Sequence, residues 1–207
     1  MIRKLMIGVA LLAVPALSNA AEWEIDGAHS TVGFGVKHMM VSNVKGTFGK
    51  VKGGASWAKP DYSDAKVDVT IDAASINTGE PKRDEHLKSP DFLDAAKFPT
   101  LSFKSKKVTK GKEAGHLALT GDLTIHGVTK EVTFDVAGPT PEVKDPWGNT
   151  RAGVEATTKI KRKDFGLAWN KALEAGGVVV GEDVNVDLAL ELTKKAAAAA
   201  PAKAAAK

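Results

Sequence analysis

No cysteine occurs anywhere in the chain. That excludes disulfide staples, a thiol nucleophile, a cysteine metal cluster and the lipid-modified cysteine of a lipoprotein. Aromatic residues are scarce, at 6% with a single tyrosine. The longest uncharged apolar run, Leu5 to Leu17, falls short of the roughly 20 residues a helix needs to cross a hydrocarbon core, so the chain is not expected to span a membrane. The G-x-S-x-G, H-E-x-x-H and P-loop spacings are missing as well. A real excess of one charge is also lacking. The formal net charge is +4, but Arg3 and Lys4 stand at the front and Lys194, Lys195, Lys203 and Lys207 at the end. Residues 22–193 therefore hold 23 basic against 25 acidic side chains, which is no platform for nucleic acid.

Arg3 and Lys4, the apolar run, and small residues closing in Ser18-Asn19-Ala20 make residues 1–20 a cleavable secretory signal by pattern, with delivery to the periplasm as the expectation. Residues 194–207 end in an Ala/Lys-rich stretch interrupted by Pro201, expected to be a flexible tail. The body between them is long enough to bury one unaided core, so a single domain over residues 22–193 is expected.

That body alternates with period two, as a strand does when one face meets an apolar interior. Val32, Phe34, Val36 and His38 share one face, as do Val51, Gly53, Ala55 and Trp57, then Val67, Val69 and Ile71, and Leu101 and Phe103. The pattern continues with Leu117, Leu119, Leu123 and Ile125, a tight turn at His126-Gly127, Val132, Phe134 and Val136, then Ala152, Val154, Ala156 and Ile160, and finally Val184 to Leu192. About eight strands joined mostly by short turns predict an all-β, antiparallel barrel closed on itself, with a two-sheet sandwich as the rival. Between Ile76 and Pro99 the alternation stops. Pro81 to Lys88, and then Ser89 capping a turn that starts at Pro90, predict two short helical pieces that lid one end.

The interior positions are mostly small: Gly53, Ala55, Ala152, Ala156 and many valines, with Phe34, Phe103 and Phe134 the large ones. A barrel of this size either plugs itself with side chains or holds one small ligand. A lightly filled apolar interior suits an alkyl or isoprenoid chain. The five histidines, His29, His38, His86, His116 and His126, do not cluster in sequence, although hairpins could bring His38 and His126 to one rim. Asp26, His29 and Ser30 are expected to tie down the first strand. Arg83-Asp84-Glu85-His86 would meet a polar head group if it folds over the barrel mouth. Lys161-Arg162-Lys163-Asp164 is expected to be an exposed strand end, followed by Phe165 to Trp169 as a rim or second lid.

Several words of the sequence, in order, resemble the YceI-like family: W-E-I-D-G-A-H-S from Trp23, V-G-F-G-V-K-H-M from Val32, V-K-G-T-F-G from Val44 and I-N-T-G from Ile76. R-D-E-H-L-K-S-P-D-F-L-D from Arg83, F-P-T-L-S-F-K-S from Phe98, G-D-L-T-I-H-G-V-T-K from Gly121 and D-F-G-L-A-W from Asp164 continue the match over residues 22–193. The resemblance implies an eight-stranded, lipocalin-like barrel in the periplasm that binds a polyisoprenoid or similar long-chain amphiphile, an isoprenoid quinone among the alternatives. It implies no catalytic set, cofactor or metal. On that basis the ligand-binding residues are taken as Phe34, Val36, His38, Arg83, His86, Phe92, Phe103, Ile125, Phe134 and Trp169.

A lipid carrier rather than an enzyme is therefore the leading expectation. A metal- or histidine-dependent enzyme at the barrel rim and an envelope interaction module are the alternatives. Homodimerisation and a membrane redox or envelope partner stay open.

Overall fold

The computed structural model describes residues 20–174 and 176–196. Apart from Ala20, the expected signal lies outside the described residues, as does the tail beyond Ala196. The described strands are β1 (Ala21–Ile25), β2 (Thr31–His38), β3 (Ser42–Phe48), β4 (Val51–Trp57), β5 (Lys66–Asp72), β6 (Ile76–Asn77), β7 (Thr100–Lys110), β8 (His116–Ile125), β9 (Val128–Ala137), β10 (Val143–Lys144), β11 (Thr150–Lys161) and β12 (Val180–Lys194), with one α-helix, α1 (Pro81–Lys88).

These segments form a closed, eight-stranded antiparallel barrel. The ring runs β12-β1-β4-β5-β7-β8-β9-β11 and returns to β12. Twelve segments give eight staves because two staves are bent, each made of two segments, and because β6 and β10 lie outside the ring. β1 and β2 follow one another along the same edge of β12, Trp23 opposite Lys194 and Val32 opposite Leu188. The bend falls at Asp26–Ser30. β3 and β4 do likewise, β3 pairing with β2 and β4 with β1 and β5. The sequence reading located β2 and β4 but not their other halves, although Ala21, Trp23 and Ile25 of β1 alternate with Glu22 and Glu24, while β3 offers only Val44 and Phe48 as apolar residues. The outer edge of β3 takes β6, which leads into the α1 insert. Closure removes the free edges of the ring except along β3, where among the described residues only Thr47 and Phe48 pair outward, with β6.

The alternation works as expected on most staves. On β7 the parity changes: Leu101 and Phe103 face inward, the register with β8 shifts between Ser105 and Lys107, and Val108 then takes the inward place. An extra residue in one strand of a pair moves every later side chain to the opposite face, which period-two counting cannot foresee. His126 and Gly127 both have positive φ, 52° and 73°, as a two-residue hairpin turn with the twist of the flanking strands requires.

The helical expectation is met at Pro81–Lys88, where Pro81 opens α1 and the Glu80 carboxylate accepts from Lys82 N. The second piece is a correction. Ser89 to Asp94 makes hydrogen-bonded turns, Phe92 N to Ser89 O at 3.0 Å and Asp94 N to Ser89 O at 2.9 Å, without forming a helix. Asp94, at φ 46°, has left the right-handed helical region.

Candidate functional site

The barrel encloses a cavity of about 290 Å³ whose wall is apolar almost throughout. Its middle is built by inward side chains of β2, β7, β8 and β9, where Phe103 and Phe134 meet edge to face at 5.2 Å. Small groups, Ala156 on β11 beside β9 and Val186 on β12, line the same cavity, so the interior is not plugged. At one end the cavity is closed by Leu87 of α1 with Phe92 and Leu93 of the following turns. At the other it is bounded by Trp57, Tyr62, Ala65 and Pro139, all half-buried, with no helix laid across among the described residues.

The lid is fixed by its own polar groups. The Asp84 carboxylate accepts from Thr78 N at 2.8 Å and from Thr78 Oγ1 at 2.6 Å, and these bonds hold it below its ordinary pKa. Arg83 donates from Nε to Thr78 Oγ1 at 2.8 Å and from Nη2 to the Thr78 carbonyl at 3.0 Å. Both side chains are thus spent on positioning α1. The His86 ring bonds Asp91 Oδ2 through Nε2 at 2.8 Å and lies edge-on to Phe92 and to Trp169, 5.0 Å from each.

The second lid is held by a residue expected to be exposed. Arg162 is 3% exposed. It donates from Nε to the Gly181 carbonyl at 2.8 Å, from Nη1 to the carbonyls of Trp169 at 2.9 Å and Leu167, and from Nη2 to Val180 at 3.3 Å. The expectation of a solvated strand end is therefore corrected for this residue, while its neighbours Lys161, Lys163 and Asp164 are exposed as expected. The chain turns into a short 3-10 helix, Arg162–Phe165, which rolls Arg162 inward. Among the described residues no carboxylate lies within ion-pairing reach of Arg162, and burial lowers the pKa of its guanidinium. Its hydrogen-bond partners are carbonyl oxygens, with Glu182 acting on the charge from farther off, so Leu167 and Trp169 are strapped to the start of β12.

The densest cluster of ionisable groups lies outside the cavity. Asp26, His29 and Glu191 offer ligand atoms within 4.8 Å of one another. A cation already sits there: Arg151 Nη1 is 2.7 Å from Asp26 Oδ2 and also bonds Glu191, while its Nε donates to Asp145 Oδ2 at 2.7 Å. Hydrogen bonds from Arg151 first, then His29, hold the Asp26 carboxyl well below the usual carboxylate range. Ser30 Oγ accepts from Glu191 N at 3.0 Å. As expected for Asp26, His29 and Ser30, the group fastens the bend between β1 and β2 to β11 and β12.

The YceI-like domain profile matches residues 23–192. The chain belongs to the YceI-like family. A UPF0312 protein of Vibrio parahaemolyticus is 38% identical over 192 residues, covering 89% of this chain and 93% of that one. The crystal structure of the Campylobacter jejuni YCEI protein superposes with a TM-score of 0.63 at 32% identity, covering 77% of this chain and 90% of that one. A polyisoprenoid binding domain from Saccharophagus degradans implicated in plant cell wall breakdown shares the fold, with a TM-score of 0.61 at 18% identity over 84% of this chain and 98% of that one.

The YceI-like words of this chain fall on the two lids as well as on the staves. R-D-E-H-L-K-S-P-D-F-L-D is α1 and the turns after it, and D-F-G-L-A-W is the segment whose carbonyls Arg162 holds. Of the residues assigned to the ligand, Phe34, Val36, Phe92, Phe103, Ile125 and Phe134 line the cavity. His38, Arg83, His86 and Trp169 do not: Arg83 is committed to Thr78, His86 and Trp169 pack behind Phe92, and His38 ends β2 half-buried. The other histidines are separate too. His116 Nδ1 pairs with Asp135 Oδ2 at 2.7 Å, which raises its pKa, and the His126 ring meets Phe98 edge-on at 4.7 Å. Sequence reasoning missed Pro139 and Tyr62 in the lining because both lie in loops, where no periodicity signals a facing direction.

Proposed function

We propose that this YceI-like protein is a periplasmic carrier that holds a polyisoprenoid or another long-chain amphiphile in its barrel cavity, after removal of residues 1–20. The observation that carries this reading is the cavity wall, apolar along its length and unplugged between the lid and Trp57. Each methylene moved from water into such a wall contributes about 0.8 kcal/mol, so roughly ten of them supply ~8 kcal/mol, enough for micromolar affinity without a polar contact. An isoprenoid quinone is one cargo of this class. The polyisoprenoid binding domain with the same fold supports the choice of chain. An enzymatic reading gains no such support, because the histidines stand apart and the ionisable cluster on the outer wall already encloses Arg151.

Native mass spectrometry of protein prepared from its own host without detergent, followed by organic extraction, tests the proposal. A stoichiometric adduct that extracts as a prenyl or other long-chain lipid is the expected result. A bare mass, with added prenyl lipids failing to bind, would overturn it. Binding should persist in chelator and after His38→Ala or His86→Ala.

A further inference from the structure

The structure exposes two of its large apolar side chains on one hairpin. Trp147 is 81% exposed and Val143 60%. Val143 belongs to β10, which pairs with the start of β11, Val143 opposite Arg151 and Lys144 opposite Thr150. The tip between them is tightly built. The Asp145 carboxylate accepts from Trp147 N at 3.0 Å, from Asn149 N at 2.8 Å, from Asn149 Nδ2 at 2.9 Å and from Arg151 Nε at 2.7 Å. Gly148, at φ 89°, closes the turn, and Asp145 N and O bond across it to Asn149 O and Gly148 N. This scaffold holds the indole of Trp147 out in water, where an aromatic side chain of that size is rarely left without a partner.

The position of the hairpin suggests what meets it. It stands at the end of the barrel opposite α1, and its root, Pro139, lines the cavity beside Tyr62 and Ala65. The acidic groups on the hairpin are neutralised: Glu142 accepts from Lys194 Nζ at 2.9 Å, and Asp145 pairs with Arg151. Lys144 and Lys195 make no ion pair among the described residues, with Glu22 the carboxylate of the strand beside Lys195. The sequence beyond Ala196 adds Lys203 and Lys207 and no acidic side chain. An exposed indole on a hairpin tip that also carries Lys144, unpaired among the described residues, fits the headgroup layer of an anionic bilayer. A protein partner would need a broad, packed patch of about 800 Å² on each side.

We propose that the β10–β11 hairpin docks the lidless end of the barrel on an anionic lipid bilayer, with Trp147 seated among the headgroups and Val143 beside it. Amphiphile then passes between bilayer and cavity by way of Pro139 and Tyr62. The docking stands on the hairpin itself, and only the passage of cargo rests on the carrier function proposed above.

Flotation of the chain lacking residues 1–20 with vesicles of phosphatidylethanolamine and phosphatidylglycerol, against vesicles of phosphatidylcholine alone, is the test. The protein should float with the anionic vesicles and do so less as salt is raised. Trp147→Asp should weaken this binding roughly tenfold or more, and Lys144→Glu should flatten its salt dependence. Val41→Asp, on the 80% exposed turn at the opposite end, should change neither. Uptake of a prenyl lipid added from solution should be the same in Trp147→Asp as in the parent, which separates docking from cavity binding. Docking with an empty cavity would sink the carrier reading and leave the bilayer inference standing. Failure of the parent to float, equal loss in Val41→Asp and Trp147→Asp, or capture only by vesicles that contain a membrane protein would overturn the inference.

Discussion

Arg162 donates from Nη1 to the carbonyl oxygen of Trp169 at 2.9 Å, and Trp169 in turn packs on Phe92 at 5.2 Å. A residue at the exit of β11 thereby reaches the lid of the cavity through one carbonyl and one ring. The buried guanidinium has four carbonyl partners and no carboxylate, so its removal leaves acceptors unpaired in a place water enters poorly.

Arg162→Ala is accordingly expected to cost on the order of 3 kcal/mol in urea unfolding, since buried unsatisfied acceptors cost roughly 1–3 kcal/mol each and the loop relaxes in part. Retained lipid should also be released faster. Arg162→Lys should recover little, because an ammonium cannot present the planar fork that spans Leu167, Trp169, Val180 and Gly181. Unchanged urea midpoints in both variants would show that the strap does not matter.

Filling the cavity should separate binding from folding. Ala156 is 5% exposed and lines the cavity from β11. Ala156→Trp is expected to lower the affinity for a prenyl lipid by roughly tenfold or more, while overpacking costs about 1–3 kcal/mol or less where empty space accepts the ring. Isothermal titration of the folded variant, with circular dichroism as the control, reads both quantities.

Gly54 is a strict backbone requirement. A Cβ there would run into the Trp23 carbonyl oxygen, where β4 pairs with β1. Gly54→Ala should therefore push β1 off β4 and destabilise the fold by about 2 kcal/mol or more. Hydrogen exchange should show the loss first in Ala21–Ile25.

Acid should loosen the outer clasp. Burial opposes ionisation of Asp145, but hydrogen bonds from Arg151, Asn149 and Trp147 prevail and hold its carboxyl at about 2, while Asp26 lies lower still. Both carboxyls return to ordinary values near 3.8 on unfolding. Their stabilisation is complete above about pH 4 and is lost as pH falls through the folded values. Arg151→Met should lower stability at neutral pH and flatten its decline between about pH 4 and 2. Urea midpoints measured across that window check it.

His116 behaves in the opposite sense. Asp135, by its hydrogen bond, raises the pKa of His116 above 6.5, so the stabilisation is present at lower pH and lost as pH rises through the folded value. Asp135→Asn should bring the His116 NMR titration back toward 6.5.

Most of the cavity wall was legible in advance because facing direction within one strand is local: Phe34 and Val36, or Phe134 and Val136, share a side whatever the rest of the chain does. The His126-Gly127 turn was legible for the same reason. The polar rim was not. Arg83 sits in a segment that does cover the cavity, yet Thr78, a few residues upstream, captures its guanidinium. Lys161-Arg162-Lys163-Asp164 looks uniformly solvated, and only the 3-10 turn distinguishes Arg162 from its neighbours.

What the amino-acid sequence determined by itself was the β class, the inward faces of most staves, the turn chemistry, the α1 insert and membership in the YceI-like family. Tertiary structure decided the rest: the bend that makes one stave of β1 and β2, the parity change before Val108, the burial of Arg162, and the exposure of Trp147 on a hairpin braced by Arg151. Alternation and turn propensity are properties of neighbours along the chain. Burial of a charge and exposure of an indole depend on which distant carbonyls and carboxylates the closed barrel brings within about 3 Å.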